Sequence, residues 1–249
     1  MYTGWTGRVM AFLNYATQLV VLNFLWILGT LLGGFVLGVA PATLSLGRLV
    51  TALSLGDPSG SLWRDFWSYY FAQFWSVNKQ AWVFTALAII AGADLYAFRI
   101  AAYNGIAGTG ALLAPFIIVA LLCVVANAYF HASRLRFRDT QWATLKFAFL
   151  SPLAFLPATL AIILINIAFF MLTWQLPITA VLIGFSVPLG ASIVIAGHAI
   201  DRAYHSGFLA TDRLLTDADS AWRSRHEADP TLAPQAPKPS RFKKLGKRK

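Results

Sequence analysis

Asp94 is the only acidic residue inside a stretch apolar enough to lie within a membrane, which makes it the first place in this chain where chemistry could sit. An isolated carboxylate in hydrocarbon is costly enough that it is normally paired, protonated or turned towards water. Such a group can line a path for ions or protons, or it can serve as a structural hydrogen bond or ion pair in the outer third of a bundle. Arg99 does not neutralise it along one helix, because five residues rotate a helix by about 500° and leave the two about 140° apart. Asn166, Tyr96 and Gln18 are the polar groups able to reach it inside a bundle, and Asp94 with Asn166 forms the candidate intramembrane polar site.

A second set stands near the other ends of the apolar runs: Arg48, Asn127, His131, His198, Asp201 and Arg202. His198 and Asp201 are three apart and share a helical face. The set reads either as the lining of an inner vestibule, titrating near neutral pH through its histidines, or as the wet ends of helices. No metal site is expected, since neither His pair has i, i+4 spacing and Cys123 stands alone. That single cysteine also allows no intrachain disulfide and reads as a small core hydrophobe. Signatures of acyl transfer, phosphate binding and zinc hydrolysis are absent, and residues 56–60 have turn chemistry without the Lys-Ser or Lys-Thr of a phosphate loop. The expectation is a protein that is not an enzyme and needs no cofactor.

The elements that position these residues follow from apolar run lengths. Residues 147–200 contain no Asp, Glu, Lys or Arg. At about 1.5 Å per residue, roughly 20 residues cross a hydrocarbon core of about 30 Å, so this run crosses twice with a turn at residues 173–177. Composition agrees: 58% hydrophobic, only 12% charged and a mean hydropathy of +0.63 exclude an ordinary soluble domain. Earlier crossings are predicted at residues 9–32, with Asn14, Gln18 and Asn23 on the protein-facing side, and at 80–102 and 111–131. The first of these is too long for a cleaved signal peptide. Residues 35–55 are ambiguous. Counted from Pro41 they give a short, tilted or re-entrant helix carrying Arg48; counted from Phe35 they span. Residues 62–75, rich in Trp and Tyr, read as a separate interfacial helix. Pro115, Pro152, Pro157 and Pro188 can kink their helices.

The fold expected is all-α: a polytopic transmembrane bundle of six segments over residues 1–205, the second spanning or re-entrant, with one interfacial aromatic helix on the cytoplasmic side. A polar cytoplasmic segment at 206–229 and a disordered, Pro-rich basic tail at 230–249 complete the chain. Orientation comes from charge. The connections at 29–34, 103–110 and 173–177 hold no Lys or Arg, whereas those at 56–79 and 133–146 and the C-terminus hold most of them. The positive-inside rule places both termini in the cytoplasm, with Arg99 snorkelling outward. Of the net charge of +10, Lys238, Arg241, Lys243, Lys244, Lys247, Arg248 and Lys249 supply +7, with no acid after Pro230. Such a tail is attracted to anionic lipid headgroups. It lacks the interleaved aromatics of a nucleic-acid binder, so no specific nucleic-acid partner is expected.

The chain resembles the YesL family of bacterial integral membrane proteins, a domain of unknown function (624). The resemblance rests on Arg8-Val9-Met10, on Leu22-Asn23-Phe24-Leu25-Trp26, and on Gly38 with Pro41-Ala42-Thr43. It continues through Gly56-Asp57, Arg64-Asp65-Phe66-Trp67, Lys79-Gln80, Arg136-Phe137-Arg138-Asp139, Leu145-Lys146 and Asp201-Arg202-Ala203-Tyr204. The family's basic residues near 49–53 and its Lys-Glu-Asn-Phe before Lys79 are missing here, and the basic extension is additional. Family members are often encoded beside carbohydrate ABC uptake systems and glycoside hydrolases. The resemblance therefore implies an accessory or assembly partner of a carbohydrate importer in the bacterial plasma membrane, with permease subunits as partners. The rival reading is a small transporter or channel whose path passes Asp94 and the inner polar set.

Overall fold

The computed structural model describes residues 5–56, 60–105, 109–137 and 140–205. The polar segment and the basic tail, with Lys238 to Lys249, lie outside the described residues, as do Asp57, Arg138 and Asp139. The described chain is an all-α bundle: α1 (Trp5–Leu32), α2 (Val39–Ser54), α3 (Leu62–Tyr103), α4 (Thr109–Arg134), α5 (Gln141–Ala154), α6 (Leu156–Gln175), α7 (Ile178–Ile183) and α8 (Ser186–His205). Among the described residues, three helices are long and apolar enough to cross a membrane: α1 from Arg8, α3 and α6. Their outer faces carry exposed Leu, Ile and Phe, such as Leu160, Leu164 and Phe170 on α6.

α2 is the hub. Its 16 residues match the shorter of the two lengths anticipated for it, and Ala40 to Gly47 are buried without a break. Leu44 packs in a core with Val77, Phe84, Tyr129, Phe130 and Ile193, while Leu46 joins a second core with Leu22, Leu25, Trp26, Phe66 and Tyr70. Small side chains allow the approach: a Cβ on Gly47 would collide with Ile193 of α8. The α1–α2 turn puts Gly34 and Phe35 in the left-handed region, φ 66° and 63°. α3 braces it: the Tyr70 hydroxyl donates to Gly29 O (2.8 Å) and the Asn78 amide to Leu37 O (2.9 Å).

Three boundaries differ from the sequence reading. Residues 62–75 are not a separate interfacial helix but the first third of α3, 42 residues without interruption. Nothing along α3 breaks a helix: it has no Pro, Gly92 is its sole Gly, and Asn78-Lys79-Gln80, between residues 62–75 and the expected crossing, is polar yet helix-compatible. The segment expected at 150–173 begins nine residues earlier, at Gln141, and breaks at Phe155. The segment expected at 177–200 is divided between α7 and α8 at Gly184–Phe185.

Candidate functional site

The most elaborate polar junction in the described bundle centres on Asn23, fully buried in α1. Its Nδ2 donates to Val181 O at the end of α7 (2.7 Å), and its Oδ1 accepts from the backbone N–H groups of Phe185 (2.9 Å) and Ser186 (3.0 Å). One side chain thus satisfies backbone groups on both sides of the α7–α8 break. The two N–H groups are those that a helix start leaves without intrahelical partners. Trp26, one turn on and on the same face, stacks on Phe185 with centroids 4.3 Å apart. Its Nε1–H donates to Thr43 Oγ1 of α2 at 3.0 Å. The Asn-x-x-Trp and Pro-Ala-Thr motifs, far apart as text, are one structural unit with the α7–α8 break as its third member.

A second set of polar contacts lies at the Arg134 end of α4. Arg136 makes a two-pronged ion pair with Asp201 of α8, Nε–Oδ1 2.6 Å and Nη2–Oδ2 2.8 Å, and Nη1 donates to Ala132 O at 3.3 Å. The guanidinium lies so close over Gly197 that a methyl group there would overlap it. Arg134 reaches α3, where Nη2 donates to Gln73 Oε1 (3.3 Å) and Ser76 Oγ (2.8 Å), while its buried Nε has no partner among the described residues. Burial lowers the Arg134 pKa, and the Tyr69 phenol counters that shift.

The residues expected to form an inner polar set are distributed over these contacts instead of facing one vestibule. Arg48 stacks over the Tyr69 ring at 4.4 Å. His131 is buried, its ring nitrogens 2.9 and 3.3 Å from the carbonyl oxygens of Asn127 and Ala40. Asp201 is held by Arg136, and His198 and Arg202 are exposed. Asp94 and Asn166 are not brought together. Asn166 donates to Ile162 O (2.8 Å) and to Ser192 Oγ (2.9 Å) across the α6–α8 contact. Asp94 lies on the exposed face of α3, with no ion pair among the described residues. On α1, Asn23 is buried as expected, Gln18 is half-buried, and Asn14 is exposed.

Sequence reasoning missed the Asn23 junction, the Arg136 partner of Asp201 and the role of Gly197. Arg136 and Asp201 are 65 residues apart and Asn23 and Phe185 162, so no spacing rule connects them. The family-resembling stretches were the one available signal, since Asn23, Trp26, Thr43, Arg136 and Asp201 all fall within them.

Comparison with known proteins agrees with that signal. A family model described as "Protein of unknown function, DUF624" matches residues 19–95, which hold Asn23, Trp26, Thr43 and Tyr70. The uncharacterized protein YteU of Bacillus subtilis (strain 168) is 27% identical over 177 residues, 71% of this chain and 78% of that protein. The uncharacterized protein YesV of the same organism is 31% identical over 98 residues, 39% of this chain and 47% of that protein. No solved structure matches. The resemblance read from the residues is borne out.

Proposed function

We propose that this chain is a non-enzymatic protein of the bacterial plasma membrane, with six membrane segments and cytoplasmic termini, that serves as an accessory or assembly partner of a carbohydrate ABC import system. The observation that carries the reading is α3. At about 1.5 Å per residue its 42 residues reach about 63 Å, beyond the roughly 40–45 Å of a bilayer with its headgroups. With the apolar part from Gln80 onward in the membrane, the first part of α3 stands in or beyond the cytoplasmic headgroup layer. There Trp63, Phe71 and Trp75 are 59%, 63% and 67% exposed, and Trp82 continues the stripe at 62%. Their positions fall within about 120° of helix face at about 100° per residue. An apolar aromatic stripe leading out of the bilayer fits a protein partner. The carbohydrate system enters through the family resemblance, and the basic tail adds attraction to anionic headgroups.

The transporter alternative draws on the interrupted helices. Against it weigh the polar side chains such a path would use: Asn166, His131 and Asp201 are engaged in helix-to-helix contacts, and Asp94 is on a different surface.

A photo-crosslinking residue in place of Phe71 or Trp75, in the full chain in native membranes, is expected to capture permease subunits of a sugar importer. Recovery of the chain alone, or solute flux in liposomes that Asp94→Asn abolishes without loss of fold, would overturn the reading.

A further inference from the structure

Between α3 and α5 runs an open groove of about 380 Å³, lined by Val83, Trp142, Leu145, Lys146, Phe149 and Leu150. The five α5 residues recur at i, i+3, i+4, i+7 and i+8, one face of a helix. Phe149 is seated by stacking on Phe84 of α3, centroids 5.4 Å apart and planes 12° apart. The lining is apolar throughout, so Lys146 contributes its aliphatic stem and leaves its ammonium at the rim.

The groove has a direction. Trp142 and Lys146 stand at the end nearest the basic connection, and Phe149 and Leu150 at the end that enters the uncharged run 147–200. Trp142 is 74% exposed although its ring is the largest apolar surface on α5. Residues 140–200 contain no Asp or Glu, and the nearest described acid beyond them, Asp201, is already paired with Arg136. An interfacial indole and an ammonium with no ion pair among the described residues, both above an apolar trough, match the parts of an anionic phospholipid: charged headgroup, interface and acyl chain.

We propose that this groove is a binding site for one anionic phospholipid, its phosphate and headgroup at Lys146 and Trp142 and an acyl chain over Val83, Phe149 and Leu150. The site is separate from the α3 aromatic stripe and does not depend on an importer as partner. It needs only that α5 enter the bilayer from the basic side.

Native mass spectrometry of the full chain in mild detergent, titrated with phosphatidylglycerol or phosphatidylcholine, tests it. A retained 1:1 phosphatidylglycerol adduct is expected, with phosphatidylcholine retained less. Lys146→Gln should weaken the phosphatidylglycerol adduct roughly fivefold, the ratio expected for one basic residue at a membrane surface. Leu150→Trp, which fills the trough without touching charge, should remove the tight adduct of either lipid. The basic tail also attracts anionic lipid, but that attraction is unaffected by Leu150→Trp and falls with salt. Equal retention of both lipids, adducts unchanged in both variants, or a second copy of the chain crosslinked at Leu150 would overturn the proposal.

Discussion

Two apolar helices of this bundle are interrupted, and the backbone groups freed at the two breaks are satisfied in opposite ways. At Phe155 the break is local. Pro157 has no N–H to give to the preceding turn and its ring crowds that turn's carbonyl, so α5 cannot run on into α6. The loose ends are tied within the same stretch: Thr159 Oγ1 donates to Pro152 O at 2.9 Å, and the Phe155 N–H to Ser151 O at 2.9 Å. At Gly184–Phe185 a proline also stands in the following turn, since Pro188 has no N–H to give to Gly184 O, but here the exposed backbone groups are taken by Asn23 from a helix about 160 residues earlier. The first break belongs to its own sequence. The second is closed only by the tertiary structure, and it holds α1, α2, α7 and α8 together as one unit.

The comparison can be broken by substitution. Asn23→Leu keeps the branched shape and number of side-chain heavy atoms and removes three hydrogen bonds, leaving two N–H groups and a carbonyl without partners. A loss on the order of 2–4 kcal/mol is expected in reversible unfolding in mixed micelles. Hydrogen exchange at the Phe185 and Ser186 amides should quicken, while that around Phe155 stays as it was. Asn23→Asp, which keeps the acceptor, should preserve protection of those two amides better. Trp26→Phe retains an aromatic ring against Phe185 but deprives Thr43 of its donor, and about 1 kcal/mol should be lost. A cost as large as that of Asn23→Leu would shift the weight of the junction from the amide to the stacked rings. Pro157→Ala should have the smallest effect, within about 1 kcal/mol of zero, because the regained N–H bond offsets the loss of proline's restraint on the unfolded chain. An effect equal to that of Asn23→Leu would show that the local break also carries tertiary load.

Legibility in the sequence followed the same division. The apolar runs behind α1, α4 and α6 were visible from length and composition, and the kinking power of Pro115, Pro152, Pro157 and Pro188 from residue type. The continuity of α3 was not. Aromatic and polar residues at 62–80 have the composition of an interface, but composition does not end a helix; Pro, Gly or a competing cap does, and none occurs there. Asp94 drew attention as a lone carboxylate in an apolar run. Its place on the exposed face of α3 depends on which side of that helix meets α2 and α4, a rotation that Phe66, Tyr70, Val77 and Phe84 fix by packing. The inner polar residues were named individually, yet their pairing was not foreseen: Asp201 with Arg136, His131 with Ala40 O, Arg48 on Tyr69.

By itself the sequence determined that this is an all-α chain with helices apolar enough for a membrane, because transfer of side chains from water to hydrocarbon is close to additive along a run and needs no knowledge of neighbours. It also named Pro157 and Pro188 as residues able to kink their helices, because proline acts on its own turn. Only the tertiary structure decided the closing of the Gly184–Phe185 break by Asn23, the Arg136–Asp201 pair and the outward turn of Asp94. Each depends on a side chain meeting a group from a distant helix, and the free energy of that meeting is set by geometry that no local stretch of residues contains.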